Sequence, residues 1–345
     1  MPAEWAPHAA TWVVWPHRPD DWPGRFGAIP FAFAEIIRHL VPHESVRIVV
    51  GSASQEAQAR ALLENAGVDL GYLRFFRWRT DRSWVRDSGP IFVRNDVSEG
   101  TRPIVGVIDW RFNAWAKYED WHRDNRLPSR VAREFDLPVW RPRVEGTPIV
   151  LEGGAIDGNG AGTVLATEEC LLGEVQARNP GLDRTGVERV LSDYLGCDRV
   201  VWLPRGIVGD DTHGHIDDVA RFVGERTVVV AREPDASDPN HSILEENLEC
   251  LRAATDSVGR PFEVVELPMP APLAYGRQRV PASYLNFYIA NEVVLVPTFN
   301  DAADRTALGV LENLFPGRTV TGIHSGDLIW GLGSIHCLTQ QEPLA

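Results

Sequence analysis

The residues best suited to covalent chemistry lie near the C-terminus, where Gly331 to Pro343 reads GLGSIHCLTQQEP and Cys337 follows a glycine approach. A thiol needs small neighbours if a substrate carbon is to reach it, and no second cysteine is close enough for a Cys-x-x-Cys pair. Cys337 is either a nucleophile or a buried structural thiol. A candidate acid and base lies in HGHIDD, His213 to Asp218. Read as a strand, this run puts His213, His215 and Asp217 on one face. A metal would suit alternate histidines but would want a further ligand set of similar density. The chain offers acidic residues and a thiol instead, so His215 is read as the general acid and base and His213 as a flank or outer partner.

Two further carboxylates stand out. Asp87, in TDRSWVRDSGP, leads into the apolar run IFV, and Glu152 stands beside Gly153 and Gly154 in LEGGAIDGNGAG. Those glycines allow close backbone approach. The cluster precedes TVLAT, a strand pattern rather than a helix, so a dinucleotide loop lacks its context and DGNG reads as a hairpin turn. Asp81 and Arg82 read as solvated loop charges, and Trp84 as either core or an aromatic wall for a planar cation.

A thiol, an imidazole and carboxylates together suit a flat, bidentate cation, which points to a guanidinium. Cys337 would attack its central carbon and His215 would protonate the departing amine. Water activated by His215 would then hydrolyse the thiouronium intermediate. Asp87 and Asp217 would hold the guanidinium nitrogens while Glu152 orients substrate and imidazole. The three carboxylates raise the thiol's pKa, so a cationic substrate would itself promote the thiolate.

Remote segments must meet for this to work, and the chain repeats in a way that makes them meet. Helix, strand, polar loop and a strand pair closed by a short turn recur about five times, with helical patterns at about Phe31–Leu40, Ser129–Phe135, Arg184–Leu195, Ile243–Thr255 and Ala303–Leu314. A further helix is expected with Ser54 as its N-cap and Gly67 as its stop. Asp87, Glu152 and His215 are spaced by 65 and then 63 residues. Such a period signals a stack or a ring. Because the last unit carries the most chemically specific residues, a closed ring of one domain, residues 1–345, is the better reading. Asp87, Glu152, His215 with Asp217, Asn286, and His336 with Cys337 would then converge on the axis.

The 345 residues are 44% hydrophobic, enough for a stable core. A net charge of −14 argues against a nucleic-acid surface and leaves a small cationic partner as the favoured one. No apolar run approaches the roughly 18 residues of a membrane span. Four scattered cysteines and the absence of a signal-peptide pattern point to a reducing cytoplasm.

In the runs MPAEWAPHAATWVVWP, FNAW, WVRDSGP, LEGGAID, HGHIDDVARFV and GSIHCLTQQEP, in this order, the chain resembles the agmatine deiminase and bacterial peptidylarginine deiminase family of guanidino-group modifying enzymes. The resemblance implies a pentein fold, an α/β propeller of five pseudo-repeated units, and hydrolysis of agmatine to N-carbamoylputrescine and ammonia without metal or organic cofactor. It places the nucleophile on Cys337, the acid and base on His215, the guanidinium carboxylates on Asp87 and Asp217, and the remaining acid on Glu152. Trp84 and Gly333 would line the substrate site. Another guanidine such as arginine or peptidyl-arginine, amidino transfer, and a metal-dependent ureohydrolase are the alternative activities, and a homo-oligomer is compatible with the sequence. The chain departs from the family's pattern in FNAWAKYEDWHRD, which lacks the usual glycine pair, in RDSGPIFV, and in GLGSIHC.

Overall fold

The structure, a computed structural model, describes residues 1–95 and 104–345. It is an α/β protein whose described strands form five mixed sheets of three or four strands and two small hairpins. Four of the mixed sheets follow one plan. A short inner strand pairs antiparallel with a central strand, and a helix then carries the chain to a third strand parallel to the central one, since parallel pairing needs a crossover.

In chain order these sheets are Ile91–Asn95, Ile104–Ile108 and Val139–Trp140; Ile156–Gly158, Thr163–Thr167 and Arg199–Leu203; Ala220–Phe222, Thr227–Arg232 and Glu263–Pro268; and Tyr288–Ile289, Val293–Thr298 and Thr319–His324. The remaining sheet takes its inner strand, Gln340–Pro343, from the C-terminus. That strand runs antiparallel to His8–Val14, with Ser45–Val50 and Leu73–Arg77 parallel beyond. The end of the chain thus completes the sheet that its beginning starts.

Local sequence explains most of the elements. The central strands Thr163–Thr167 and Val293–Thr298 are buried along nearly their whole length, so they carry continuous runs rather than alternation. Helix Ile29–Leu40 buries Phe33, Ile36, Ile37 and Leu40 on one face, takes Pro30 in its first turn and ends with Arg38 and His39. Each such apolar side chain contributes about 1.5–3 kcal/mol through burial.

Two expected helix starts move. Ser52, not Ser54, caps Ala53–Asn65, because Ser52 has the extended backbone a cap requires and accepts the Gln55 N–H at 3.2 Å. The helix expected from about Ile243 begins at Pro239, where Asp238 caps it and proline suits the first turn. HGHIDD is no strand: His213 has a left-handed φ of 66°, and a single 3-10 turn spans Ile216–Asp218.

The polar loops ahead of the inner strands converge. Asp87, Glu152, His215, Asp217, Asn286 and Cys337 each precede one of these strands and are all buried. Among the described residues no helix is long and apolar enough to cross a membrane.

Candidate active site

Cys337 sits in a turn between the 3-10 helix Leu328–Gly331 and strand Gln340–Pro343. One side chain organises that turn. Asn286 Oδ1 accepts from Ser334 Oγ at 2.9 Å, from the His336 N–H at 3.0 Å and from the Cys337 N–H at 3.4 Å. Its amide nitrogen donates to Cys337 Sγ at 3.1 Å. Gly333 keeps room beside the sulfur, since a Cβ there would lie 2.8 Å from the Trp84 ring and 3.2 Å from Sγ.

His215 heads the turn that carries Asp217. Asp210 fixes its backbone by accepting the N–H groups of Gly214 and His215 at 2.7 and 2.9 Å. The ring lies between two carboxylates, with Nδ1 3.8 Å from Asp87 and Nε2 3.7 Å from Glu152. Both ring nitrogens are buried without a hydrogen-bond partner. The glycine pair after Glu152 makes this approach feasible. A Cβ on Gly154 would sit 2.5 Å from His215 Nδ1 and 2.8 Å from Asp87 Oδ1, and one on Gly153 would strike the Arg86 carbonyl at 2.2 Å.

Asp87 belongs to the short helical turn Val85–Ser88 and is gripped at both oxygens, accepting from Gly154 N–H and from the Trp115 indole, each at 3.0 Å. Glu152 accepts from Arg178 Nε at 3.1 and 3.3 Å. Asp217 accepts from His336 Nδ1 at 2.7 Å on Oδ2 and lies 3.7 Å from the Cys337 sulfur, while its Oδ1 is buried and bare.

The electrostatics follow from this crowding. Burial, with Asp217 and Glu152 nearby, pushes the Asp87 carboxyl up to about 6 despite His215. Burial also works against ionised Glu152, but Arg178 and His215 overcome it and pull that group down to about 2. Burial disfavours a charged His215, yet Asp87, Cys170 and Glu152 outweigh it and hold the imidazole well above its ordinary range. The Cys337 thiol is pushed well up by burial and then by Asp217, Asp218 and Asp87.

A cavity of about 1070 Å³ opens over the group, with Cys337, Asp87, Trp84, Trp115 and Gly333 in its wall. Its lining carries six carboxylates, Asp20, Asp21, Asp87, Glu119, Asp120 and Asp211, against three cations, Arg18, Arg82 and Lys117. His215, Glu152 and Asp217 stand directly behind that wall, each at most 1% exposed.

The structure therefore brings together the residues expected from sequence, with two local corrections. His215 and Asp217 share a tight turn rather than a strand face, and Asp87 lies in a helical turn rather than at a strand's start. His213 faces Glu169 at 3.9 Å, away from the site. Trp84 is both wall and core, packed on Trp22 at 5.2 Å between ring centroids.

Arg178 and Cys170 carry no local sequence signal for a place at this site, being a lone arginine and one cysteine of four, and Trp115, one of five tryptophans that the sequence leaves as either core or pocket mouth, lines the cavity. The φ values of 51°, 59° and 53° at Ala114, Trp115 and Ala116 form a left-handed run that aims the indole at Asp87. Among the described residues, Glu152, Cys170 and His215 could offer three metal donors, with their atoms within 4.8 Å of one another. Arg178 already occupies Glu152 there.

Residues 1–343 match the family described as Porphyromonas-type peptidyl-arginine deiminase. An agmatine deiminase of Pseudomonas fluorescens is 38% identical over 369 positions, covering 99% of this chain and 95% of that one. The solved structure of the Enterococcus faecalis agmatine deiminase superposes with a TM-score of 0.88 at 32% identity, over 99% of this chain and 95% of that chain. A Campylobacter jejuni agmatine deiminase solved with substrate bound gives 0.85 at 28% identity over the same shares.

Proposed function

The chain belongs to the Porphyromonas-type peptidyl-arginine deiminase family, and from that membership we propose that it hydrolyses agmatine to N-carbamoylputrescine and ammonia through a covalent adduct on Cys337. The observation that carries this reading is a thiol in the wall of an acidic cavity, backed directly by an imidazole with two unpartnered nitrogens and a carboxylate with a bare oxygen. A guanidinium supplies what that group lacks, namely a flat cation with several N–H donors. The excess of carboxylates along the lining favours a second positive charge at the substrate's far end, as in agmatine, over the α-carboxylate of arginine.

In the mechanism that follows, the guanidinium settles against Asp87 and Asp217 beside Trp84. Its charge offsets the carboxylates that hold the thiol up, so Cys337 releases its proton to solvent through the open cavity as substrate arrives. The Sγ–C bond forms and gives a tetrahedral adduct. Protonated His215 donates to one terminal nitrogen, the C–N bond breaks and ammonia leaves. The neutral imidazole then takes a proton from water, the C–O bond forms, and the S–C bond breaks to release the ureido product and the thiolate. Glu152, neutralised by Arg178, keeps the imidazole turned toward the reacting carbon.

We read the five mixed sheets as the blades of a pentein propeller forming one catalytic domain over residues 1–345. Support comes from their common plan and from the pairing of the last strand with the first. A cytoplasmic location fits the four unpaired cysteines.

The test is a panel of agmatine, arginine and a peptidyl-arginine, scored for ammonia and for urea. Ammonia from agmatine with little from the others is expected. Urea that disappears on adding a chelator would replace this reading with a metal-dependent ureohydrolase.

A further inference from the structure

We propose that His336 is a positioning residue for Asp217, and that Glu4, brought from the chain's N-terminus, holds His336 to that task. The inference rests on the guanidinium-binding role given to Asp217 above. His336 is 1% exposed, and both its ring nitrogens face carboxylate oxygens. Nδ1 lies 2.7 Å from Asp217 Oδ2 and Nε2 lies 2.8 Å from Glu4 Oε2. Both contacts are donations when each nitrogen carries a proton.

Glu4 cannot swing away. Its Oε2 also faces Arg221 at 3.0 Å and Arg86 at 3.3 Å, and its Oε1 accepts the Ile289 N–H at 2.8 Å. The ring is thereby fixed from behind, and it fixes Oδ2 of Asp217 in turn. Oδ1 is left as the bare acceptor of that carboxylate.

The position of His336 beside Cys337 gives the contact a second consequence. Asn286 accepts both the His336 and the Cys337 backbone N–H groups, so the imidazole and the sulfur ride on one tied turn. A hydrogen bond from that turn to Asp217 sets the spacing between the attacking atom and a carboxylate that holds the carbon under attack. Small errors in such spacing are costly in rate. The competing account is that Glu4 and His336 only fasten the N-terminus to the last turn of the chain.

Two isosteres separate these accounts. The amide nitrogen of His336→Asn falls near Nδ1 and keeps the bond to Asp217. That of His336→Gln reaches toward Glu4 and loses it. With active sites counted by stoichiometric labelling of Cys337, His336→Asn should keep most of the wild-type kcat/KM for agmatine. His336→Gln should lose about 10- to 100-fold, the usual cost of removing an outer partner that orients a buried ligand group. In an Asp217→Asn background His336→Gln should add little, because its effect passes through that carboxylate.

If the histidine variants fail to fold, Glu4→Gln repeats the test, lowering kcat/KM in the wild-type background and leaving it unchanged beside Asp217→Asn. Equal losses in His336→Asn and His336→Gln, or losses that multiply with Asp217→Asn, would overturn the proposal. A wild-type protein that releases no ammonia from any guanidine would remove the premise instead, so the two failures are told apart.

Discussion

Around Glu4 a buried carboxylate is met closely by side chains of the chain itself. His336, Arg221 and Arg86 stand 2.8, 3.0 and 3.3 Å from its carboxylate, and Arg221 also meets Asp157 at 3.0 Å. On the other side of Asp217 the arrangement is different. The ring nitrogens of His215 are unpartnered, one oxygen of Asp217 is bare, and three carboxylates push the Cys337 thiol up. Buried charge is costly unless it is paired. In the first region the chain itself supplies the pairing; in the second the deficit is left for a ligand to fill. Two regions of similar burial thus divide into a clasp and a reactive site by the closeness of their pairing. Arg86 Nη2 and Arg221 Nη2 make no well-directed hydrogen bond either, but they stand 3.3 and 3.0 Å from Glu4. The His215 nitrogens come no nearer to Asp87 and Glu152 than 3.8 and 3.7 Å, and Asp217 Oδ1 is bare.

The division is tested hardest at the reactive side. Cys337→Ala should lower ammonia release by about 10⁴-fold or more, and His215→Ala by about 10²–10⁴-fold. Cys337→Ala should not lower the urea midpoint of unfolding, because it removes a thiol that burial and three carboxylates oppose, whereas His215→Ala leaves Asp87 and Glu152 without a buried countercharge and should lower it. Retention of most activity in either variant would take that residue out of the chemistry.

Asp157, which reaches His336 through Arg221 and then Glu4, should answer in the opposite way. Asp157→Ala removes a partner of Arg221 Nε and the acceptor of the Phe222 N–H, which it binds at 2.6 Å. Breaking a buried pair from one side costs about 3–5 kcal/mol. That loss should appear in urea unfolding while kcat/KM per folded molecule stays near the wild-type value. A large kinetic loss without destabilisation would dissolve the distinction.

Asp87→Asn sharpens the comparison because its two readouts should diverge. Losing hydrogen bonds to a charged ligand should lower kcat/KM about 10- to 100-fold. Stability should move the other way as pH rises. With its carboxyl raised from 3.8 to about 6, Asp87 contributes stability that is full below about pH 3.8 and lost as pH rises through about 6. Asparagine carries no such dependence, so the stability of the variant relative to wild type should rise by about 2–3 kcal/mol between pH 4 and pH 7, whatever offset the lost hydrogen bond to one oxygen sets. Parallel unfolding curves at pH 4 and pH 7 measure the difference. Glu152, lowered to about 2, has the reverse sign, its contribution being present above about 4.5 and lost on acidification.

Much of this site was legible in the sequence because its motifs sit at equivalent places in a repeated unit. The order of elements predicted which loops converge, and Asp87, Glu152, His215, Asp217 and Cys337 are found on those loops. What stayed hidden depends on contacts that no motif or repeat spacing marks, within a unit or between the two ends of the chain. Arg178 reaches Glu152 across 26 residues and Glu4 reaches His336 across 332, and neither spacing follows from local pattern. HGHIDD misled as a strand because alternation resembles a strand's period, whereas His213 and Gly214, with φ of 66° and 95°, turn the chain there. Ser54 misled as a cap because two serines flank the helix start, and only backbone geometry distinguishes Ser52.

The smallest effects belong to the mouth, where charges are exposed to solvent and salt. Lys117 pairs with Asp211 and Arg18 with Asp120, so these contribute little net field, while Glu119 and Asp20 retain theirs. Screening acts over about 10 Å at 0.1 M salt. The capture of a dication should therefore weaken several-fold between low and moderate salt, visible in kcat/KM, while kcat, set by the shielded floor, holds steady. Glu119→Gln should flatten that salt dependence without touching kcat. If kcat/KM is indifferent to salt in the wild type, the acidic mouth plays no part in drawing in the substrate, and the contrast that matters reduces to the two buried regions on either side of Asp217.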